Sequence, residues 1–535
     1  MLDIKRKVPR FSINFHFSSN QMEAKGTNIS QKGIGFITEE EVVPADEIPF
    51  ETIVKGYIFS NKTYSIKGIG NILYSKKIND IEAYYHNGLE FTKLDFDSQD
   101  NLFDLLEDIR KFEKSVQSNI ENKTLADFNY YPSEDIFEKA NIFYEAFDNL
   151  ILKKYEVFSY YLEESSKSTT TFIQRKTEMK KKMVMMGSNN YLGLTTNSDV
   201  IKAGKDALDK YGSGNGSGVM VGGKLLIHKE LEEALSDFTG KEAVMLFSSG
   251  YSTNLGIISG IARQNDAIIN DQLNHASVFD GCKLSGAKVL VYAHNDMGSL
   301  DRILKRAKLN YNGQLIVVNG IFSSNGEIAQ LDKIVEISQK YNCKIMVDEA
   351  HGLGVIGKKG IGASEYLNVL DKVDILMGTL SKSLAGVGGF AAANKEIIEY
   401  LRYYGRSYLF STTIPASVAA SVLKALEILK NDKEIREKLK YNVEYFKNGL
   451  KKLNLNIGNT EGAIVPIYIP DMNVIMNVSK MLFEKGIFHN IFSYPAVPLG
   501  GSLLRFGLMA THTEKELSYV LDSIEEASIK FNLVR

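Results

Sequence analysis

From residue 180 onward the chain repeats one unit: a short apolar run, then a segment with apolar residues at helical spacing. The runs fall at residues 243–247, 267–269, 288–291, 315–318, 345–347 and 375–377. Runs apolar at every position suit strands covered on both faces, which is the condition of parallel sheets whose crossovers are helices. A mostly parallel sheet between helical layers is therefore expected, with any ligand beyond the carboxyl ends of the strands. The last ~120 residues read as a smaller α/β unit.

At 535 residues the chain is too long for one ordinary domain. Residues 11–91 show short alternating segments broken by Gly, Asn, Asp and Lys turns, which suggests a small β-barrel. Residues 97–114 carry Leu102, Leu105, Leu106, Ile109 and Phe112 at helical spacing and read as a helix closing it. The expected division is a barrel with its closing helix at 1–114, a linker at 115–134, and a catalytic region at 135–535, with a large domain at about 180–415 and a small one at about 416–535. Residues 136–162 again show helical spacing.

A net charge of -2 argues against binding nucleic-acid polymers or anionic membranes through a broad basic surface. Only Cys282 and Cys343 are present, far apart, so neither a disulfide framework nor a metal site is expected. The amino terminus has no secretion-signal pattern, and no apolar run reaches the ~20 residues of a membrane helix. A cytoplasmic location is expected.

Two glycine patterns invite a nucleotide-binding reading. Gly352-Leu353-Gly354-Val355-Ile356-Gly357 spells a dinucleotide fingerprint after a strand, but Lys358-Lys359-Gly360-Ile361-Gly362 cannot open the helix that would hold pyrophosphate. The segment from Gly218 to Gly223-Lys224 approaches a phosphate loop, yet Leu225 stands where magnesium needs a hydroxyl.

A different chemistry is carried by Asp348 and His351, in Asp348-Glu349-Ala350-His351 after one strand, and by Lys382, after the next. An aldehyde cofactor such as pyridoxal phosphate needs an amine for a Schiff base, a carboxylate to keep its ring nitrogen protonated, and donors to its phenolic oxygen and phosphate. Taken singly, a Lys or Asp after a strand is more often a surface or ion-pair residue. The ordered set changes that.

From Ser188-Asn189-Asn190-Tyr191-Leu192-Gly193-Leu194 through Ser249-Gly250-Tyr251 with Asn254, His275-Ala276-Ser277, Asp348 to His351, Gly378-Thr379 with Lys382, Phe410-Ser411-Thr412 and Tyr494-Pro495 to Arg505, the chain resembles the α-oxoamine synthases over residues 137–534. That resemblance implies the fold-type I pyridoxal-phosphate transferase fold and a decarboxylating condensation of an amino acid with an acyl-CoA. Lys382, Asp348, His351 and His275 would be catalytic, with His275 stacking on the cofactor ring. His351 and Ser323 would bind the phenolic oxygen. The amides of Gly250 and Tyr251 with the Thr379 hydroxyl would hold the phosphate, completed in a homodimer by Ser411 and Thr412 of the partner subunit. Arg505, assisted by Asn189, would grip the amino acid's carboxylate as a bidentate fork. The chain departs from the family's pattern at Asn319, Ser324-Asn325, and Val219 to Lys224, which leaves the identity of both substrates open.

The amino-terminal region resembles the PilZ domains, β-barrels that bind cyclic di-GMP. It carries Arg6 and Arg10 as Arg-x-x-x-Arg, then Asn28, Ser30 and Gly33 as Asn-x-Ser-x-x-Gly, and closes on Gly88-Leu89-Glu90-Phe91. Paired guanidinium forks suit phosphates and the guanine edge, and Gly33 permits close backbone approach. Three readings follow: an acyl-CoA:amino acid acyltransferase regulated by cyclic di-GMP, an aminotransferase without an acyl donor, and a non-catalytic cyclic di-GMP receptor on a dimeric scaffold.

Overall fold

The computed structural model describes residues 11–19, 22–30, 33–38, 48–55, 63–77, 85–95, 97–107, 135–149, 160–175, 177–494, 496–498 and 500–533. The chain separates into two compact units, Met1–Tyr155 and Glu156–Arg535. The first unit contains a closed barrel of six strands, β1 (Phe11–Ser19), β2 (Met22–Ser30), β3 (Gly33–Thr38), β4 (Ile48–Lys55), β5 (Thr63–Lys77) and β6 (Tyr85–Leu94), in the order β1-β2-β3-β6-β5-β4. Closure removes the unpaired edges an open sheet would expose. A helix covers residues 97–107 and buries Leu102, Leu105 and Leu106. It is tied to β5 where the Lys67 amide donates to Ser98 Oγ at 2.7 Å and Asn101 donates to the Ser65 carbonyl at 2.9 Å.

Of the residues singled out for cyclic di-GMP, Asn28 and Ser30 lie at the end of β2 and Gly33 opens β3, with Ser30 paired to Gly33 across the hairpin. Arg6 and Arg10 lie outside the described residues, as do all of 115–134. Helical spacing over 136–162 is realised only in part. A helix runs over Glu138–Asn149, whereas Tyr160–Leu162 is strand β7, because its three residues pair with the next strand instead of continuing a helix.

The second unit is built on a seven-stranded sheet of β10 (Ala243–Phe247), β11 (Ala267–Asp271), β12 (Lys288–Tyr292), β13 (Gln314–Asn319), β14 (Lys344–Asp348), β15 (Ile375–Thr379) and β16 (Gly389–Ala393), in the order β10-β16-β15-β14-β13-β11-β12. The strands expected from the apolar runs all form. Every residue of β11, β13 and β15 is buried, as expected for strands covered on both faces. The one antiparallel member, β16, reads Gly-Phe-Ala-Ala-Ala and has little strand propensity of its own. Its small residues let the helix Gly250–Ile261 come close: a Cβ on Gly389 would lie 2.4 Å from Thr253 Oγ1 and 2.9 Å from Gly250 Cα.

Two smaller sheets complete the unit. One holds β17 (Ile464–Tyr468), β20 (Leu503–Gly507) and β19 (Asn490–Phe492). The other joins β7, β8 (Thr169–Gln174) and β9 (Lys180–Met185) to β18 (Ile487–Phe488), so the opening strands of this unit share a sheet with a strand far along the chain. The amide of Gly507 donates to the Met186 carbonyl at 2.6 Å, and a Cβ there would lie 2.3 Å from the Ser188 carbonyl. That approach lays β20 beside the Ser188–Leu194 motif.

Replacing Gly389 by Val should cost about 1–3 kcal/mol, since overpacking must push the Gly250 helix away. Calorimetry should show a lowered Tm.

Candidate active site

Asp348 and Thr379 end neighbouring parallel strands, β14 and β15, so both emerge at the carboxyl edge of the large sheet. Asp348 is buried, with Oδ2 accepting from Asn254 at 2.8 Å and Oδ1 from the Ala350 amide at 2.9 Å. Asn254 also donates to Ser277 at 2.9 Å. Bonds of this kind fix a carboxylate's direction and offset part of its burial cost.

Lys382 follows Thr379 in a loop, partly buried. Burial drives its amine down to about 7, with the Asp348 charge opposing and the Arg505 charge assisting. A lysine in that range has a large fraction of free amine near neutrality, which a Schiff-base nucleophile requires.

Gly250 and Tyr251 begin the helix Gly250–Ile261, with Ser249 as its cap. First-turn amides lack intrahelical acceptors and favour anions. A Cβ on Gly250 would sit 2.9 Å from Thr379 Oγ1, so only glycine lets that hydroxyl approach the helix end. Ser411 Oγ lies 3.5 Å from Ser248 Oγ of the same chain, and Thr412 forms an isolated bridge with Gly218. His275 caps the helix Ala276–Ser285, its Nδ1 2.7 Å from Ser277 Oγ, and its ring stands edge-on to Tyr251 at 6.3 Å.

One hydrogen-bonded chain crosses from β20 to the loop after β14. Arg505 is buried; its Nε donates to the Ser323 carbonyl at 2.7 Å and its Nη2 to Asn189 Oδ1 at 2.9 Å. Ser323 thus meets Arg505 through its carbonyl. The Tyr191 hydroxyl reaches Asn189 Oδ1 at 3.2 Å and His351 Nδ1 at 2.6 Å. Burial pushes Tyr191 up to about 12, so it keeps its proton, and burial with the nearby Lys382 and Arg505 charges holds His351 well below the usual histidine range. A neutral imidazole presents one donor and one acceptor, as a bridge between Tyr191 and a ligand oxygen requires.

The sequence model of the family described as "Aminotransferase class I and II" matches residues 181–524, all within the second unit. The chain is 45% identical over 347 residues to a serine palmitoyltransferase of Sphingobacterium spiritivorum, covering 65% of this chain and 85% of the relative. It is 39% identical over 354 residues to an 8-amino-7-oxononanoate synthase of Thermoanaerobacter pseudethanolicus, covering 66% and 90%. The chain belongs to the α-oxoamine synthases. Among solved structures, a high-resolution structure of SPT with PLP internal aldimine superimposes with a TM-score of 0.69 at 33% identity, over 75% of this chain and all of that one.

As an α-oxoamine synthase the protein is a pyridoxal-phosphate-dependent acyltransferase. Its residues fit that cofactor: an amine with a depressed pKa, a buried carboxylate within its electrostatic reach, and a helix start narrowed to glycine beside a hydroxyl. Lys382, Asp348 and Thr379 would hold the aldehyde, ring nitrogen and phosphate sides respectively. The structure shows what two residues of the sequence signatures touch: Asn254, quoted with Ser249-Gly250-Tyr251, orients Asp348, and Tyr191, of the Ser188–Leu194 run, joins His351 to Asn189. Asn254 lies one helical turn after Gly250 on the same face, which is why the two recur together in the signature.

Glu349 adds a third feature. It is buried beside Asp348 and accepts from the Ala363 amide, the Ser364 amide and Ser364 Oγ at 2.9, 2.7 and 2.6 Å. A Cβ at Gly352 or Gly362 would collide with its carboxylate, and one at Gly354 would lie 2.5 Å from Ser383 Cβ. Two glycines of the apparent dinucleotide fingerprint, Gly352 and Gly354, therefore clear space for Glu349 and for the loop that carries Lys382.

Since the Lys382 amine titrates near 7, the apoprotein should capture pyridoxal phosphate faster as pH rises through 7 and level off above ~8, where the free amine predominates. Stopped-flow absorbance would follow the imine band; Lys382→Ala should give no such band at any pH.

Proposed function

We propose that this α-oxoamine synthase joins the Cα of an amino acid to the acyl group of an acyl-CoA, releasing CoA and carbon dioxide and leaving an α-amino ketone. The observation that carries this reading is Arg505. A buried guanidinium, held at Nε by Ser323 and at Nη2 by Asn189, keeps its remaining N–H groups aimed, which suits bidentate capture of a carboxylate. Lys382 supplies the base that takes the Cα proton, and a carboxylate fixed by Arg505 decides which Cα bond is presented to it. Bound pyridoxal phosphate supplies the protonated ring that draws electron density from that carbon. Asp348, fixed by Asn254 and the Ala350 amide, keeps the ring nitrogen protonated. The new C–C bond forms at the thioester carbonyl, the C–S bond breaks to free the CoA thiol, and the substrate's carboxylate leaves as carbon dioxide.

We further propose a homodimer in which Ser411 and Thr412 of the partner subunit help enclose the phosphate. Supporting this, Met220, Val221 and Phe410 are more than two-thirds exposed in the single chain and flank the Gly218–Thr412 bridge. Such apolar exposure suits a subunit contact. For the barrel we propose cyclic di-GMP as the ligand of Arg6, Arg10, Asn28, Ser30 and Gly33, with binding altering turnover. The motif order and the placement of Ser30 opposite Gly33 at the β2-β3 turn support it.

A panel of glycine, L-alanine and L-serine against acyl-CoAs of rising chain length, read by thiol release, tests the reaction. CoA should appear only when both substrates are present. Amino transfer to a keto acid without thiol release would replace this reading with the aminotransferase one. Arg505→Lys should raise the amino-acid KM by about 10–10³-fold while leaving the acyl-CoA KM nearly unchanged, since a point charge cannot replace the fork. Isothermal titration with cyclic di-GMP should show binding that Arg10→Ala abolishes; turnover unaltered by the saturating nucleotide would reject the regulatory role.

A further inference from the structure

His294 follows β12 and stands between two carboxylates. Its Nδ1 lies 2.9 Å from Asp271 Oδ1 and its Nε2 2.9 Å from Glu327 Oε2. A neutral imidazole has a single N–H, so two carboxylate contacts need a ring protonated on both nitrogens. Asp271 ends β11, is fully buried, and also accepts from the amides of Leu273 at 2.8 Å and Asn295 at 3.1 Å. Glu327 belongs to the turn 321–328, closed by the Ile321–Ile328 bridge and by the Phe322 amide donating to the Glu327 carbonyl at 2.9 Å. The His294 ring stands edge-on to Phe322 at 4.3 Å, and the next residue is Ser323, whose carbonyl receives Arg505 Nε.

The far side of this turn meets the small sheet. The Gly326 carbonyl accepts from the Glu461 amide at 3.2 Å and from Thr460 Oγ1 at 3.4 Å, and a Cβ on Gly326 would lie 2.3 Å from the Ile464 carbonyl, at the start of β17. The turn is thus held between the sheet of β11 and the sheet that contains β20 with Arg505.

We propose that His294 is a positioning residue: doubly hydrogen-bonded between Asp271 and Glu327, it pins the turn 321–328 so that the Ser323 carbonyl aims Arg505 at the substrate carboxylate. This rests on the reading of Arg505 as the carboxylate grip. It adds a pH-sensitive support for that grip. Burial opposes a charge on His294, but its bonds to Asp271 and Glu327 prevail and push it up to about 9, while the His294 bond draws Glu327 down. The other groups facing the cluster are Tyr292, beside Asp271, and Tyr468, beside Glu327, both raised chiefly by burial and uncharged at neutral pH, with Asn325 and the Asn459 amide donating to Glu327. A histidine raised from ~6.5 contributes its full stabilisation below that value and loses it as pH rises through about 9.

The test uses the holoenzyme titrated with glycine, L-alanine and L-serine, read by the visible absorption of the bound cofactor, in wild type, His294→Gln, Glu327→Gln and Arg505→Lys. At pH 7.5 the amino-acid dissociation constant of His294→Gln should exceed the wild-type value about tenfold. The ratio should fall toward one at pH 10, where wild type has itself lost the proton; taking the ratio cancels titration of the substrate's own amine. Glu327→Gln, which keeps the side chain's shape, should move in the same direction and decides the matter if His294→Gln does not fold. Affinity for pyridoxal phosphate should stay at the wild-type value, which a general loss of structure would not allow. Ratios near one at pH 7.5, or ratios that do not fall with pH, while Arg505→Lys weakens binding, would overturn the role of His294 alone. Arg505→Lys binding as tightly as wild type would instead remove the grip on which the proposal stands.

Discussion

Charge held away from water, between the carboxyl edge of the large sheet and the small sheet of β20, is what the catalytic unit is built around. Asp348 and Arg505 are each nearly inaccessible, and Lys382 is crowded enough to lose much of its affinity for a proton. Burial of such groups is costly unless each finds partners. Asn254 and the Ala350 amide serve Asp348; Ser323 and Asn189 serve Arg505. The strands β11, β13, β14 and β15, apolar and enclosed, supply the rigid edge on which these partners converge.

The network from Ser323 through Arg505, Asn189 and Tyr191 to His351 links the residue proposed to grip a carboxylate with the histidine expected beside a cofactor oxygen. Its members come from four separated stretches of chain. Low local dielectric strengthens such bonds and also raises the cost of losing any one of them. Substitution of Tyr191 or Asn189 is therefore felt at both ends.

Much of this was legible in the amino-acid order because periodicity and cofactor chemistry act locally. Six apolar runs become β10 to β15, and Asp348, His351 and Lys382 arrive where strand ends put them. What escaped reading depends on three-dimensional neighbours. The alanines of β16 lack strand propensity and become a strand because both flanking strands accept them. The glycines at 352, 354 and 357 look like a nucleotide loop until Glu349, Ser383 and Glu365 are seen beside them. Lys224, the would-be phosphate-loop lysine, is paired with Glu232 at 2.6 Å. His294 has no motif to announce it, since its two carboxylate partners are 23 residues before it and 33 after it in the sequence.

The small sheet that joins β9 to β18 sets an order of events during synthesis. Val184 pairs with Ile487 and Met185 with Phe488, some three hundred residues later, and the adjoining Met186 carbonyl waits for Gly507. A nascent chain emerging from the ribosome can therefore form β10 to β16 early, yet its Asn189 segment stays without Arg505 and Gly507 until almost the whole polypeptide has been made. Contacts of that span close slowly. A translation product that stops short of β20 would carry Lys382 and Asp348 but lack Arg505, the residue proposed to orient the substrate.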